Sequence, residues 1–126
     1  MDDRGRLAAW ALALNLGWEV AQAPLNTCPA VPRTWMRAAA GDAALTIVVA
    51  ELTARRVHLA AGLTAIALVI EMHALTCGRW AYHAAMPTFG RVGLLPLAQL
   101  PLLGVTATVL ARRGRPVRRP ARPAPW

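Results

Sequence analysis

Residues 57–76 have the sequence VHLAAGLTAIALVIEMHALT, which is the longest uninterrupted apolar run of the chain. A helix needs roughly 20 mainly apolar residues to cross the hydrocarbon core of a bilayer. The run has this length, and its one carboxylate, Glu71, lies near its end. It therefore predicts a membrane-spanning helix from Val57 to Thr76 that stops at Cys77-Gly78.

Three further stretches have similar length and composition. They run from about Leu7 to Leu25, from about Ala38 to Ala54 and from about Val92 to Ala111. Pro96 and Pro101 lie within the last stretch, so we expect a kink there. The sequence thus predicts an all-α polytopic membrane protein whose four transmembrane helices form an antiparallel bundle, with residues 1–111 as its membrane domain.

The composition favours a membrane protein over a soluble one. The chain is 56% hydrophobic, has a mean hydropathy of +0.39 and contains six acidic residues. A soluble domain of this size has a large polar surface to cover, and most of this chain is too apolar to cover it. All fourteen basic residues are arginine, and most lie beside the apolar runs, as in membrane flanks. We expect membrane lipids, but no nucleic acid, among the partners.

The arginines also predict the orientation of the chain. With the N-terminus inside, ten arginines are cytoplasmic, and four lie outside: Arg33, Arg37, Arg79 and Arg91. The excess predicts that both termini are cytoplasmic, as in a multi-pass protein of the bacterial inner membrane. The basic, proline-rich tail, residues 112–126, is expected to be disordered. Because Arg55-Arg56 is nearly the whole link between the second and third spans, these helices are expected to form a tight antiparallel hairpin.

An alternative interpretation of the N-terminus is a secretory signal. Arg4 and Arg6, the apolar residues that follow and the small residues of Ala21-Gln22-Ala23 resemble a cleavable signal. Cleavage would fall directly before Pro24, and Glu19 lies close to the site, so we favour an uncleaved span. Cleavage would leave three spans.

Polar residues of all four spans lie at one level of the predicted bundle. Given the orientation, the outer leaflet contains Glu19, Gln22, Asp42, Glu71 and Gln99. Asn15 shares the helix face of Glu19 and Gln22. Ionisable groups are costly within a membrane and are a functional hypothesis by default. We therefore predict a polar site at this level, without assigned catalytic residues or cofactor.

Two simpler interpretations of these residues stay open. Amide side chains often act only as interhelical hydrogen-bonding groups, and arginines of the outer loops could neutralise the carboxylates. Glu51 points to the opposite face, near the inner end, where Arg55 is its expected partner. No H-x-x-x-H or E-x-x-H spacing is present, so no metal site is predicted.

The two cysteines, Cys28 and Cys77, both fall on the outer side of the predicted topology. Since the outside of a bacterial inner membrane is oxidising, a disulfide between them is plausible. Such a bond would join the first outer loop to the end of the third span. Thiol redox catalysis would need a C-x-x-C pair, which the sequence lacks.

A pattern of short motifs runs along most of the chain from Gly17 to Pro101. It comprises Gly17-Trp18-Glu19-Val20, Gln22, Pro24-Leu25, Gly41-Asp42, Glu71, Trp80-Ala81-Tyr82, Met86-Pro87, Gly93-Leu94, Pro96-Leu97 and Gln99. In order and spacing it resembles a family of small bacterial four-helix integral membrane proteins with no assigned activity. The resemblance implies that the carboxylates and amides of the predicted site belong to one family pattern. Departures from it are Asn26, Met36-Arg37 and Met72, which stand in place of an aromatic residue, a His-Cys pair and a tryptophan.

The outer loop, Gly78–Gly93, is expected to cover the polar site. Trp80 and Tyr82 are typical interfacial anchors, and with Met86 they would form a cap over the carboxylates. Gly90 and Gly93 indicate a turn that leads back into the membrane before the fourth span.

Two classes of function follow from these features. The first is an accessory or assembly subunit that packs against other membrane subunits or against copies of itself. Small size and the lack of a recognisable catalytic constellation favour it. The alternative is a binding or catalytic site in the outer leaflet for a lipid-like, quinone-like or cationic ligand, with proton-coupled transport as a variant. The sequence does not decide whether the chain is an enzyme.

Overall fold

The computed structural model describes residues 2–25, 32–79 and 81–113, which are mainly helical. The described part contains four long helices: α1 Asp3–Gln22, α2 Pro32–Leu52, α3 Arg56–Thr76 and α4 Leu94–Arg113. A 3-10 turn, Ala23–Leu25, follows α1, and two short strands, β1 Thr88–Phe89 and β2 Val92–Gly93, precede α4. The prediction of a mainly helical chain is confirmed. Residues 114–126 of the predicted tail lie outside the described residues.

The helix boundaries differ from the predicted spans most at the start of α2 and at the start of α1, which begins four residues earlier than predicted. Helix α3 begins one residue before the prediction, whereas α2 extends six residues further toward its N-terminus. The helix of the predicted fourth span begins two residues later than Val92, because Val92 and Gly93 pair with β1 as an antiparallel strand. Helix α4 then begins at Leu94, which places Pro96 in its first turn, where the missing N–H is tolerated.

The helices pack in the order α2, α1, α4, α3. Helix α1 lies between α2 and α4, and α3 packs mainly against α4. The predicted close pairing of α2 with α3 is therefore wrong for most of their length. They contact each other locally, as where Val49 lies 3.1 Å from the position of a Cβ atom on Gly62. A short link makes two helices antiparallel, but it does not make them closest neighbours.

Small residues allow the helices to approach closely. Ala11, Ala43 and Ala107 form a buried cluster between α1, α2 and α4. At Gly104 a Cβ atom would lie only 2.3 Å from Leu63 Cδ1, so the contact of α4 with α3 requires glycine there. Such small-residue contacts are typical of helices packed within membranes.

Two of the described helices, α3 and α4, are long and apolar enough to cross a membrane by length and composition. Their windows have mean hydropathies of 1.7 and 1.8. Four spans therefore stay a prediction.

Candidate functional site

Gln99 of α4 is the centre of a polar cluster between α1, α2 and α4. Its Nε2 atom lies 3.1 Å from Asn15 Oδ1, 3.1 Å from Glu19 Oε1 and 2.9 Å from Asp42 Oδ2. In turn, Gln22 Nε2 donates to Gln99 Oε1 at 3.2 Å. The structure thus brings together four of the five predicted site residues, and it adds Asn15.

Local contacts on α1 fix the orientation of its amides. Asn15 Nδ2 donates to the Ala11 carbonyl at 2.9 Å, which leaves Oδ1 directed to Gln99. Trp18 Nε1 donates to Gln22 Oε1 at 3.1 Å, which leaves the Gln22 nitrogen for Gln99. The spacing of Asn15 and Gln22 on α1 presents both to α4, because residues seven apart share a helix face.

The cluster contains more acceptors than donors. An amide nitrogen carries two hydrogens, but three oxygens surround Gln99 Nε2. Arg4 pairs with Glu51 and Arg6 with Asp3, whereas neither Glu19 nor Asp42 pairs with an arginine or histidine of the described residues. A proton on one carboxyl group would supply the missing donor, and a bound cation would instead balance the negative charge.

Glu71 of α3 belongs to the same end of the bundle but has a different partner. The Tyr82 hydroxyl donates to Glu71, which is buried. Asp42 lies near enough to both Glu71 and Glu19 for the charged forms to repel one another. The three carboxyl groups therefore form one acidic region, in which Gln99 contacts two and Tyr82 the third.

The loop before α4 covers this end of the bundle. His83 N donates to the Leu25 carbonyl at 2.9 Å, which ties the loop to the end of α1. Met86 is buried and Tyr82 half-buried, whereas Trp80 lies outside the described residues. Tyr82 packs so closely on Gly93 that a Cβ atom there would lie 2.9 Å from its ring.

The sequence did not predict that the hydroxyl of Thr46, near the cluster, would be buried without a hydrogen-bond partner. Thr46 is fully buried, one turn from Asp42 on α2, and its Oγ1 has no hydrogen-bond partner. Other threonines donate to a carbonyl three or four residues earlier: Thr53, Thr64, Thr76, Thr106 and Thr108. The spacing of four residues between Asp42 and Thr46 puts both on one helix face. No sequence pattern distinguishes Thr46 from the threonines that donate to their own helix. Similarly, the direct bond of Tyr82 to Glu71 was not predicted.

Two further expectations concern Glu51 and the cysteines. Glu51 pairs with Arg4 of α1 at 2.7 Å, so the prediction of Arg55 as its partner was wrong.

Cys77 is exposed, with its Sγ 3.9 Å from both ring nitrogens of His73. Cys28 lies outside the described residues, so the disulfide stays a prediction. Within the described residues, no group of three or more His, Cys, Asp or Glu side chains is arranged to hold a metal ion.

In comparisons with known proteins, no family model, no curated protein and no solved structure matches the chain. The family resemblance therefore stays a prediction, and a proposal for the function has to be based on the site and the fold.

Proposed function

We propose that the chain is a multi-pass protein of the bacterial inner membrane that acts as an accessory or assembly subunit of a larger membrane complex. The observation that carries this proposal is the distribution of polarity. Large apolar side chains are exposed on the helices, while much of the interior is small or polar. Water would oppose this arrangement, whereas lipid or a partner helix would favour it.

The buried polar residues make the contrast clear. The interior includes Asn15, Gln22, Thr46, Glu71, Gln99 and Thr108, together with seven alanines. On the outside, Val69 is 67% and Leu102 55% exposed. In lipid, helices associate through small residues and interhelical hydrogen bonds, because lipid tails are as apolar as leucine.

Helices α1 and α2 fit the proposal in spite of their lower hydropathy. Their polar residues Asn15, Gln22 and Asp42 all make hydrogen bonds with Gln99 of α4. These polar groups therefore would not meet lipid. Their exposed side chains include Val20 and Val48. Average hydropathy counts both faces of a helix, whereas only the outer face has to match the bilayer.

The positions of the arginines support the proposed orientation. Arg4 contacts Glu51, and Arg6 Nε donates to the Ala111 carbonyl at 3.2 Å, so the ends of α1, α2 and α4 meet. Arg55 and Arg56 of the α2–α3 link lie at this same end. This basic end would face the cytoplasm, and the carboxyl cluster would then lie toward the outside.

Two features support the accessory role: the polar groups of the site bond to one another, and α3 exposes an apolar face. The amides and carboxyl groups bond mainly to one another, which leaves them engaged in holding the helices together. Helix α3 is at the edge of the bundle and exposes Val57, Val69 and Met72. We propose that this face packs against transmembrane helices of a partner subunit, with lipid on the remaining surface.

Native mass spectrometry of the protein, gently purified from its own membrane, tests this role. We expect stoichiometric co-purification of another polypeptide, and we expect Val69→Trp on α3 to abolish it. Val48→Trp is the matched control, because it adds the same bulk at an exposed valine of α2. A lone chain, or loss of the partner in both variants while helicity is unchanged, would contradict the proposed α3 interface.

The second candidate function is an acid site for a proton or a cationic ligand. It is favoured by the approach of Glu19 and Asp42 to one amide nitrogen without a described cation between them. If it is right, native spectra retain a small mass that Glu19→Gln and Asp42→Asn release while the fold is unchanged. Loss of helicity or of a partner polypeptide in these variants would instead identify them as structural.

A further inference from the structure

The end of the bundle opposite the carboxyl cluster contains a small pocket. It lies between the α2–α3 link and the last turns of α4. Its walls include Ala50, Leu59, Thr108, Arg55, Arg56 and Arg112. Leu59 and Thr108 are buried and form its floor, while the three arginines are exposed at its edge. The pocket therefore combines a floor of one leucine and one threonine with a cationic rim.

The arginines of this rim have no carboxylate partner within the described chain. The acids at this end are otherwise engaged: Glu51 pairs with Arg4, Asp3 pairs with Arg6, and Asp2 caps α1 by accepting from Gly5 N. The pocket thus gathers positive charge that the described protein does not neutralise. Guanidinium groups bind phosphate well, because their planar N–H groups match its oxygens.

The backbone adds to this positive potential. Helix α3 begins at Arg56, and the preceding N-cap residue, Arg55, makes no side-chain cap hydrogen bond. The first N–H groups of a helix lack intrahelical acceptors, and the helix dipole is positive there. His58 N and Leu59 N donate to the Arg55 carbonyl at 3.1 Å, so the N–H groups of Arg56 and Val57 and the dipole are what reinforce the attraction of the three arginines for an anion.

The surface beside the pocket is apolar. Leu52, the last residue of α2, is 80% exposed, and Val57, in the first turn of α3, is 66% exposed. A free phosphate ion would make no use of these side chains. The acyl chains of a phospholipid whose phosphate lies among the arginines would contact them.

We propose that the arginine rim of this pocket binds the phosphate of an anionic phospholipid head group, outside an interior with room for about one water molecule. Arg55, Arg56 and Arg112 surround the phosphate, and the acyl chains run along Leu52 and Val57. Basic pockets between helices on the cytoplasmic side of a membrane are suited to such head groups. This inference rests on the membrane placement proposed above, but not on the accessory role.

Lipid titration of the purified full chain in a mild detergent, followed by native mass spectrometry, tests the site. We expect one phosphatidylglycerol to bind more tightly than phosphatidylcholine. Arg55→Gln and Arg112→Gln should each weaken phosphatidylglycerol binding about five-fold, as for the removal of one basic group that faces an anionic lipid. Arg55→Lys, which retains the charge, should lose less.

Arg91→Gln is the matched control, since Arg91 is exposed in the turn at the opposite end of the bundle. Equal effects of Arg91→Gln and Arg55→Gln would overturn the site, because net charge alone would then explain binding. Displacement of the lipid by millimolar inorganic phosphate would identify a free phosphate site and overturn the lipid assignment. If carbonate washing removes the chain from membranes, the membrane placement fails; if the chain stays inserted without preferring phosphatidylglycerol, this inference alone fails.

Discussion

Replacing Gln99 by leucine should weaken the bundle more than any other single change at an amide, because Gln99 joins three helices. Its side chain contacts Asn15 and Glu19 on α1 and Asp42 on α2, and it accepts from Gln22. Leucine has similar volume but neither donates nor accepts. The variant therefore removes the hydrogen bonds while it largely preserves the packing.

The structure sets the expected size of this effect. Interhelical hydrogen bonds in membrane proteins contribute about 0.6 kcal/mol on average and about 1.7 kcal/mol at most. Gln99 can donate two hydrogen bonds at a time and accepts one from Gln22, so leucine removes three. The free energy of unfolding of Gln99→Leu should therefore fall by about 2 kcal/mol. This is a large part of the stability of a small domain, which is about 5–15 kcal/mol.

Reversible unfolding in mixed micelles of increasing SDS content, followed by circular dichroism, measures the change. Leu102→Ala is the control, since Leu102 is exposed on the same helix and should change stability by less than about 0.5 kcal/mol. Asp42→Leu combined with Gln99→Leu should cost less than the two single variants together, because both remove the same hydrogen bond. If Gln99→Leu unfolds at the same SDS fraction as the wild type, the amide does not hold the helices together.

Three further changes test other parts of the structure. Gly104→Ala should lower the free energy of unfolding by about 1–3 kcal/mol through overpacking against Leu63. In a Leu63→Ala background, which is itself destabilised because Leu63 is fully buried, the same change should cost less in the same SDS titration. Tyr82→Phe removes the hydroxyl that donates to Glu71, so the free energy of unfolding should fall by about 1 kcal/mol. A lower thermal unfolding midpoint would show this loss. Cys77 should react with a membrane-impermeant maleimide in intact spheroplasts of the Cys28→Ser variant. Reaction only after lysis would reverse the proposed orientation.

The sequence predicts the four helices, but it predicts some of their first and last residues poorly. Helix α3 was predicted to within one residue because its apolar run ends abruptly at Cys77-Gly78. Helix α2 was predicted too short, since Arg33 and Arg37 suggested a loop, although arginine is a good helix former. At the start of α4, the strand pair depends on a turn at Gly90, whose φ is +62°, and apolar periodicity does not reveal it.

For the candidate site, helical phase explains which residues face inward but not which ones bond. The seven-residue spacing of Asn15 and Gln22 placed them on one face, and the antiparallel topology placed Gln99 at their level. The choice of Gln99 as the common partner depends on α4 packing beside α1, a neighbour relation that no single helix encodes. The ion pair of Arg4 with Glu51 was missed for the same reason.

The acids of the cluster are the feature that helix packing explains least. An ionisable group within a membrane costs about 2.5–3.5 kcal/mol at the helix centre, whereas an amide makes similar hydrogen bonds without a charge. If Glu19 served packing alone, Glu19→Gln would be neutral or stabilising, because it adds a donor to a cluster that has too few. A stabilised Glu19→Gln chain that loses a cellular phenotype would therefore favour the acid site, while a stabilised chain with an intact phenotype would leave only the accessory role. A destabilised chain would mean that the carboxylate itself bonds to a donor beyond Gln99 and Gln22.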